Sequence, residues 1–277
     1  MPHYICVTCG SQFGASEAPP AHCPICEDER QYVGHDGQLW TTLAELGGNH
    51  RNRVELLEPA LTGIGTEPEF AIGQRALLVQ TSEGNVLWDC ISLLDEATRA
   101  AVERLGGLSA IAISHPHFYS SMIEWAHAFD APVYLHAADR QWVMRPDPAI
   151  RFWVGETQQL FGGLTLVRGG GHFEGGTVLH WPQGAGGRGA LLCGDIISPA
   201  ADRRYVSFMY SYPNRIPLPA AEVRRIAATM EPYAFDRIYG GWWGQVVSTA
   251  GKEALRLSAE RYVRALAGIL PPGGPPA

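Results

Sequence analysis

One short stretch organises this chain: Ser114-His115-Pro116-His117-Phe118-Tyr119-Ser120. It follows an apolar run, Ala110-Ile111-Ala112-Ile113, which is typical of a buried strand. Two imidazoles separated by one residue at the end of a strand can converge on one metal ion. The stretch therefore predicts half of a metal site, carried on a loop that a rigid strand positions.

Two single residues further along the chain complete this predicted site. His172 lies in a glycine-rich turn that begins at Gly169, and Asp195 follows the apolar run Leu191-Leu192-Cys193. Three imidazoles and one carboxylate suit a single zinc or iron ion. We therefore expect His115, His117, His172 and Asp195 to bind one active-site metal, either Zn²⁺ or Fe²⁺.

A second constellation stands at the N-terminus. The pairs Cys6-Val7-Thr8-Cys9 and Cys23-Pro24-Ile25-Cys26 place four thiols on two tight turns, and such turns close a tetrahedral site. A segment this short has almost no core, so bound metal would supply most of its folding energy. The arrangement resembles a zinc ribbon or a shortened rubredoxin, and its short spacer favours a structural Zn²⁺ over a redox iron.

Composition limits the class of protein. A chain of 277 residues with 46% hydrophobic and 18% charged residues is long enough for one large domain and a small appendage. The formal net charge of −7 disfavours a non-specific nucleic-acid binder, which needs a basic field. The start of the chain has no secretory pattern, and no apolar run is long enough to cross a membrane. With cysteines paired as metal ligands, these features predict a cytoplasmic protein.

Strand and helix patterns alternate along the chain, which indicates an α/β layered fold. We expect a four-cysteine module at residues 1–36, a connecting segment at 37–68 and the main domain at 69–277. Within the main domain the patterns predict a hairpin over 75–91, strands near 110, 133, 164, 177, 190 and 235, and helices over 95–105, 121–129, 220–230 and 249–266.

The order of these motifs resembles the metallo-β-lactamase fold superfamily. The likeness covers about residues 55 to 268 and rests on Leu87-Trp88-Asp89, the His115/His117 pair, the Gly-His at 172 and Gly194-Asp195. It implies an αββα sandwich with the metal site at one edge of the two sheets. It further implies that Asp89 orients a ligand histidine from outside the metal's own ligand set.

The family's hallmark, HxHxDH, is only half present. Tyr119 stands at the Asp position and Ser120 at the last His position, and Trp242 replaces the family's late strand-end histidine. Asp195 matches the carboxylate that bridges the two metals in dinuclear members. The resemblance therefore implies a member that keeps one metal and has lost the other.

These features predict a metal-dependent hydrolase of a small ester, lactone, amide or thioester that uses one metal-bound water. Tyr119 is expected to donate a hydrogen bond to a developing oxyanion, and Asp195 is expected to act as ligand or general base. Ser207–Asn214 is expected to form a lid. Four aromatic residues near the predicted site loops are expected to bind the substrate: Phe118, Phe173, Trp242 and Trp243.

Two other functions stay open at this point. One is a mononuclear iron oxidoreductase, because the resembled superfamily includes single-iron dioxygenases and two histidines with one carboxylate can hold Fe²⁺. The other is a catalytically lapsed protein whose four-cysteine module mediates protein contacts, an alternative supported by the missing Asp-His pair. The expected partner is a small molecule, with neither nucleic acid nor membrane, and a homodimer is left open.

Overall fold

The computed structural model describes residues 1–269, so the last eight residues of the predicted domain 69–277 lie outside the described part. The N-terminal module has a short ribbon and one helical turn: β1 (Ile5–Cys6), α1 (Pro24–Glu27) and β2 (Trp40–Thr41). Since β1 pairs with β2, with Ile5 opposite Thr41, the module extends beyond the predicted boundary at residue 36.

Two β-sheets form the centre of the main domain. The first has seven strands that are neighbours in chain order: β3 (Arg51–Glu58), β4 (Leu61–Glu67), β5 (Arg75–Thr81), β6 (Gly84–Trp88), β7 (Ala110–Ala112), β8 (Val133–His136) and β9 (Ile150–Trp153). The second has six strands, in the spatial order β10 (Thr157–Gln159), β11 (Thr165–Arg168), β12 (Thr177–Trp181), β13 (Ala190–Leu192), β18 (Arg237–Tyr239) and β19 (Val246–Val247).

Two short ribbons and five helices complete the described elements. The ribbons are β14 (Ser198–Pro199) with β15 (Val206–Ser207), and β16 (Met209–Ser211) with β17 (Ile216–Pro217). The helices are α2 (Leu43–Asn49), α3 (Glu96–Arg104), α4 (Met122–Phe129), α5 (Ala220–Met230) and α6 (Gly251–Leu266), with 3₁₀ turns at Pro116–Phe118 and Ala137–Trp142 and a short turn at Gly184–Gly187.

The sheets pack through alternating side chains. On β5, Leu77 and Val79 face the second sheet, where they meet Leu166 and Leu179, whereas Leu78 faces the opposite way. Successive side chains of a strand point to opposite faces, so the continuous apolar run of β5, which is buried on both faces, contributes to two packed layers.

The outer faces of the two sheets are covered by helices. Val102 of α3 and Ile123 of α4 pack with Leu78 on the outer side of the first sheet. Ile226 of α5 and Leu255 of α6 pack on the outer side of the second. The predicted αββα sandwich is therefore confirmed. None of the helices in residues 1–269 has the length and apolar composition needed to cross a bilayer.

The prediction of a connecting segment at 37–68 is wrong, because most of it belongs to the first sheet. β3 and β4 form a long antiparallel pair at its edge. Gly63 and Gly65 resemble loop residues in sequence, yet they lie in β4 because the Trp243 indole occupies the space above them. A Cβ would approach this ring to 2.9 Å at Gly63 and to 2.6 Å at Gly65.

Because several strands pair in parallel, the loops that follow them lie at the same edge of the sandwich. β6, β7, β8 and β9 run parallel to one another in the first sheet, and β13 runs parallel to β18 in the second. The carboxyl ends of parallel strands meet at the same sheet edge, where functional loops are commonly placed. Asp89 follows β6, His115 follows β7 and Asp195 follows β13.

Candidate metal centre

The structure brings the four predicted ligands together. One nitrogen or oxygen atom from each of His115, His117, His172 and Asp195 lies within 4.8 Å of the others. His115 Nε2 is 3.6 Å from Asp195 Oδ2, and His172 Nε2 is 3.3 Å from His117 Nδ1. All four side chains are buried, so the ligand cluster lies beneath the surface of the sandwich edge.

The polar atoms of this cluster fit a metal ion. His115 Nε2 and Asp195 Oδ1 are buried and have no hydrogen-bond partner among the described residues, nor does His117 Nε2. Unpaired buried polar atoms are costly, so side chains that keep such atoms within this cluster are consistent with a bound ion as the missing partner. Nitrogen ligands of a tetrahedral zinc lie about 3.3 Å apart, which matches the separation of His172 and His117. These residues therefore form a metal site.

Neighbouring groups fix which imidazole nitrogen faces the site. The Ser114 hydroxyl donates to Asp89 Oδ1 at 2.6 Å and lies 2.8 Å from His115 Nδ1. Because that hydroxyl has one proton, its bond to Asp89 leaves it to accept from His115 Nδ1–H, and Nε2 keeps its lone pair. His172 Nδ1 donates to the Met209 carbonyl at 3.0 Å with the same consequence. Asp89 thus reaches a ligand histidine through Ser114.

Burial sets the protonation of these groups. It lowers the pKa of His115 to about 3 and of His172 to about 4, so both imidazoles are neutral at pH 7. It raises the pKa of Asp195 to about 6 and of Asp89 to about 7. Neutral imidazoles are the form that binds metal, and a carboxylate that titrates near neutrality can also accept a proton.

Phe173 and Phe118 form the apolar wall of the centre. The ring centroid of Phe173 is 5.6 Å from that of His115, 4.9 Å from His117 and 5.2 Å from His172. The ring centroid of Phe118 is 4.8 Å from that of His115. Both phenylalanines are fully buried, so they limit the space beside the ligands.

Three other predicted residues lie farther from the ligands. Trp242 touches Phe118 and donates from Nε1 to the Ile72 carbonyl at 2.7 Å, so its ring is one residue removed from His115. Trp243 packs on β4 with the Arg53 guanidinium 4.3 Å from its ring. Tyr119 lines a cavity of about 10 Å³ against the N-terminal module, and no hydrogen bond or ring contact among the described residues joins it to the four ligands.

The four cysteines form the second metal site. Cys6 Sγ lies 3.5 Å from Cys26 Sγ, and Cys9 Sγ lies 3.6 Å from Cys23 Sγ. These separations are too long for a disulfide and close to the value of about 3.8 Å expected between sulfurs of a tetrahedral zinc. All four thiols are buried and lie within 4.8 Å of one another. The spacing of the two CxxC pairs therefore brings one metal's ligands together.

Arg30, which no sequence motif indicates, lies beside the candidate metal centre. It lies four residues after Cys26, and its guanidinium is 3.8 Å from the centroid of Phe173. Its Nη1 donates to the His172 carbonyl at 3.3 Å. The partners Arg30 and His172 are 142 residues apart in sequence, so no local pattern announces the contact.

The segment that was expected to form a lid holds Arg30 and the metal ligands together. The Ser211 hydroxyl donates to the Arg30 carbonyl at 3.2 Å, and Tyr212 donates to the Asp195 carbonyl at 3.1 Å. The ring of Tyr212 lies 5.8 Å from that of His172. Residues 207–214 therefore join the module, one histidine and the carboxylate ligand.

Comparisons with known proteins identify one relative at high identity. The chain is 54% identical over 268 residues to the uncharacterized protein YmaE of Bacillus subtilis, which covers 96% of this chain and 97% of that protein. No family model matches the sequence.

Solved structures with the same architecture include metallo-β-lactamases. VMB-1 superposes with a TM-score of 0.58 at 14% identity, covering 78% of this chain and 98% of its own. DIM-1 gives a TM-score of 0.57 at 16% identity, with 76% and 97% covered. The mono-zinc form of FIM-1 from Pseudomonas aeruginosa gives 0.57 at 14% identity, with 77% and 96% covered. At these identities the likeness establishes the fold.

Proposed function

Since this chain belongs to the family of the Bacillus subtilis protein YmaE and has the metallo-β-lactamase fold, we propose that it is a hydrolase with a single active-site metal. Its substrate would be a small ester, lactone, amide or thioester. The observation that carries the proposal is the buried cluster of three neutral histidines and one carboxylate, each of which has a nitrogen or oxygen atom within 4.8 Å of those of the others. A cytoplasmic location, where thiols stay reduced, is part of the same proposal.

His115, His117, His172 and Asp195 would hold the metal, with Zn²⁺ as the first choice in both sites of the chain. A metal ion held by these residues would polarise a carbonyl oxygen and activate a water molecule for attack. Ser114 keeps the Nε2 lone pair of His115 directed at the site.

Asp195 is the group we assign to proton transfer. Its Oδ2 faces His115 and His172, whereas its Oδ1 is buried without a partner among the described residues. A carboxylate oxygen beside the reacting atoms can accept a proton and release it again. Phe173 and Phe118 exclude solvent from the reacting atoms, which strengthens each electrostatic interaction there.

The donor set also favours a second candidate, a mononuclear iron oxidoreductase. His115, His172 and Asp195 provide two imidazoles and one carboxylate, the ligand set that non-haem Fe²⁺ enzymes use. The metal therefore decides between the two candidates.

The test is elemental analysis of anaerobically purified wild type and of a His115→Ala/His172→Ala variant, followed by assays on esters, lactones and thioesters. We expect two metal equivalents in the wild type, one in the variant, and zinc-dependent hydrolysis in the wild type alone. Iron at the histidine site would favour the oxidoreductase. An unchanged metal count in the variant would refute metal-dependent activity at this site and favour a lapsed enzyme.

A further inference from the structure

The outermost layer of the metal centre comes from the four-cysteine module. His115 and His172 are each only 1% exposed. Phe173 packs against their rings, and the Arg30 guanidinium packs on the ring of Phe173. The side chain of Arg30 retains only 13% exposure. The module therefore supplies a residue to the layer that covers the Phe173 side of the centre.

Arg30 is fixed in this position by a bidentate pair with Asp28. Its Nε donates to Asp28 Oδ1 at 2.5 Å and its Nη2 donates to Asp28 Oδ2 at 2.8 Å. Asp28 directly follows α1, the helical turn that contains Cys26. A bidentate pair of this kind fixes the orientation of the guanidinium plane. The position of Asp28 in turn depends on the cysteine site, because Cys26 lies two residues before it.

The backbone around Arg30 is docked onto the segment that also holds His172. Asn214 Nδ2 donates to the carbonyls of Glu29 and Gln31 at 2.8 and 3.0 Å, respectively. The same segment supplies the Met209 carbonyl that accepts from His172. Movement of residues 28–31 would therefore displace Arg30 from Phe173 and disturb the ligand His172 at the same time.

We propose that Arg30 is a positioning residue that covers the metal centre, and that metal bound by the four cysteines holds it there. The histidine-bound metal then leaves, and small ligands enter, when the segment 28–31 moves aside. This inference concerns metal retention and does not depend on which reaction the centre performs, so a hydrolase assay that fails leaves it standing.

Charge alone predicts the opposite effect. A guanidinium repels a nearby cation, so its removal would slow metal release if electrostatics dominated. The pairing of Arg30 with Asp28 offsets that repulsion. A covering role predicts faster release when the side chain is removed, and the two accounts therefore differ in sign.

The experiment follows zinc release to the chelator 4-(2-pyridylazo)resorcinol from wild type, Arg30→Ala and Arg204→Ala. Zinc release from the histidine site, the histidine-site phase, is the kinetic phase that His115→Ala/His172→Ala lacks. Arg204 is the matched control because it forms the same pair with the aspartate two residues earlier, Asp202, but is 80% exposed. We expect Arg30→Ala to accelerate this phase by about tenfold or more, equivalent to about 1.4 kcal/mol, and Arg204→Ala to leave it unchanged.

Unchanged or slower release from Arg30→Ala would overturn the covering role. Arg30→Lys separates charge from shape, because lysine keeps the charge without the planar fork. We expect it to release the metal faster than wild type, and a wild-type rate in this variant would also overturn the proposal.

Control by the cysteine site is tested on the wild-type chain. Addition of p-hydroxymercuribenzoate displaces thiolate-bound metal from the module. Cys90 and Cys193 are as buried as the four module cysteines, so a Cys90→Ser/Cys193→Ser chain treated in the same way controls for reaction at these two thiols. The histidine-site phase should then reach the rate of Arg30→Ala. An identical rate before and after treatment would show that the module does not hold the cover.

Discussion

Ser114 occupies a position that determines how well one ligand histidine is oriented. Its hydroxyl connects the buried Asp89 carboxylate to His115 Nδ1. Outer groups of this kind typically change metal affinity by about 10- to 100-fold. We therefore expect Ser114→Ala to weaken zinc binding at the histidine site within that range, as measured by chelator competition.

Ser258→Ala is the matched control for this change. Ser258 is also buried and accepts a hydrogen bond, but from Val206 on the outer side of the second sheet. Its loss should lower stability without changing zinc affinity. Equal zinc affinity in Ser114→Ala and Ser258→Ala would contradict the link through Ser114.

His172 makes the metal-free protein sensitive to acid. Burial lowers its pKa from the ordinary 6.5 to about 4, so between these values the unfolded chain binds a proton that the folded chain does not. Stability contributed by this group is therefore full above pH 6.5 and falls as the pH drops, by up to about 1.4 kcal/mol per pH unit. Urea unfolding of the metal-free proteins between pH 7 and 5 measures the difference in free energy of unfolding between wild type and His172→Gln. This difference should change with pH by this slope. A difference in free energy of unfolding that does not change with pH would refute the attribution of acid sensitivity to His172.

At the scale of elements, β4 is adapted to a single aromatic side chain. A Cβ at Gly65 would lie 2.6 Å from the Trp243 indole nitrogen. Overpacking of this kind costs about 1–3 kcal/mol, so Gly65→Ala should lower the free energy of unfolding by that amount.

The double variant Gly65→Ala/Trp243→Ala checks this reason. Removing the ring removes the clash. The double variant should therefore lose less free energy of unfolding than the sum of the losses in the two single variants. Strict additivity in urea unfolding would indicate that the alanine acts on β4 by another route.

The same elements show what the sequence could predict. The helical patterns give α3, α5 and α6 to within two residues, and the apolar runs of β5 and β6 on either side of Ser82-Glu83-Gly84-Asn85 predict the hairpin. β4 escapes prediction because the ring that justifies its glycines lies 178 residues away from Gly65 in the chain, at Trp243. Local patterns cannot report such a contact.

The candidate site divides in the same way. The four ligands and the four cysteines follow from spacing and strand ends, and the structure places each set within reach of one ion. Arg30 could not be predicted, since its role arises only when the module docks. The catalytic role predicted for Tyr119 stays a prediction, and its side chain lies at the junction with that module.

At the scale of the whole molecule, a second contact joins module and domain. Arg145 donates to both Gln12 of the module and Glu124 of α4, and Gln12 donates to Glu124 at 3.1 Å. These groups are largely buried, so the loss of one leaves others unpaired. We expect Arg145→Ala to lower the free energy of unfolding by about 1–3 kcal/mol.

Arg188→Ala provides the comparison for Arg145→Ala. Arg188 pairs with Asp236 at the surface, with 58% of its side chain exposed, and surface pairs contribute about 0–1 kcal/mol. Guanidinium unfolding, followed by circular dichroism, should separate the two variants. Equal losses would show that the junction contributes no more than a surface pair.

The docking of Arg30 beside His172 also sets an order of events during synthesis. The cysteines leave the ribosome first, whereas the surface that receives Arg30 follows about 140 residues later, which takes roughly 7–30 s at typical rates of translation. During that interval the module has no docking surface. Bound metal can fold so short a segment on its own, so we expect the nascent chain to capture the cysteine-bound metal before the histidine-bound one.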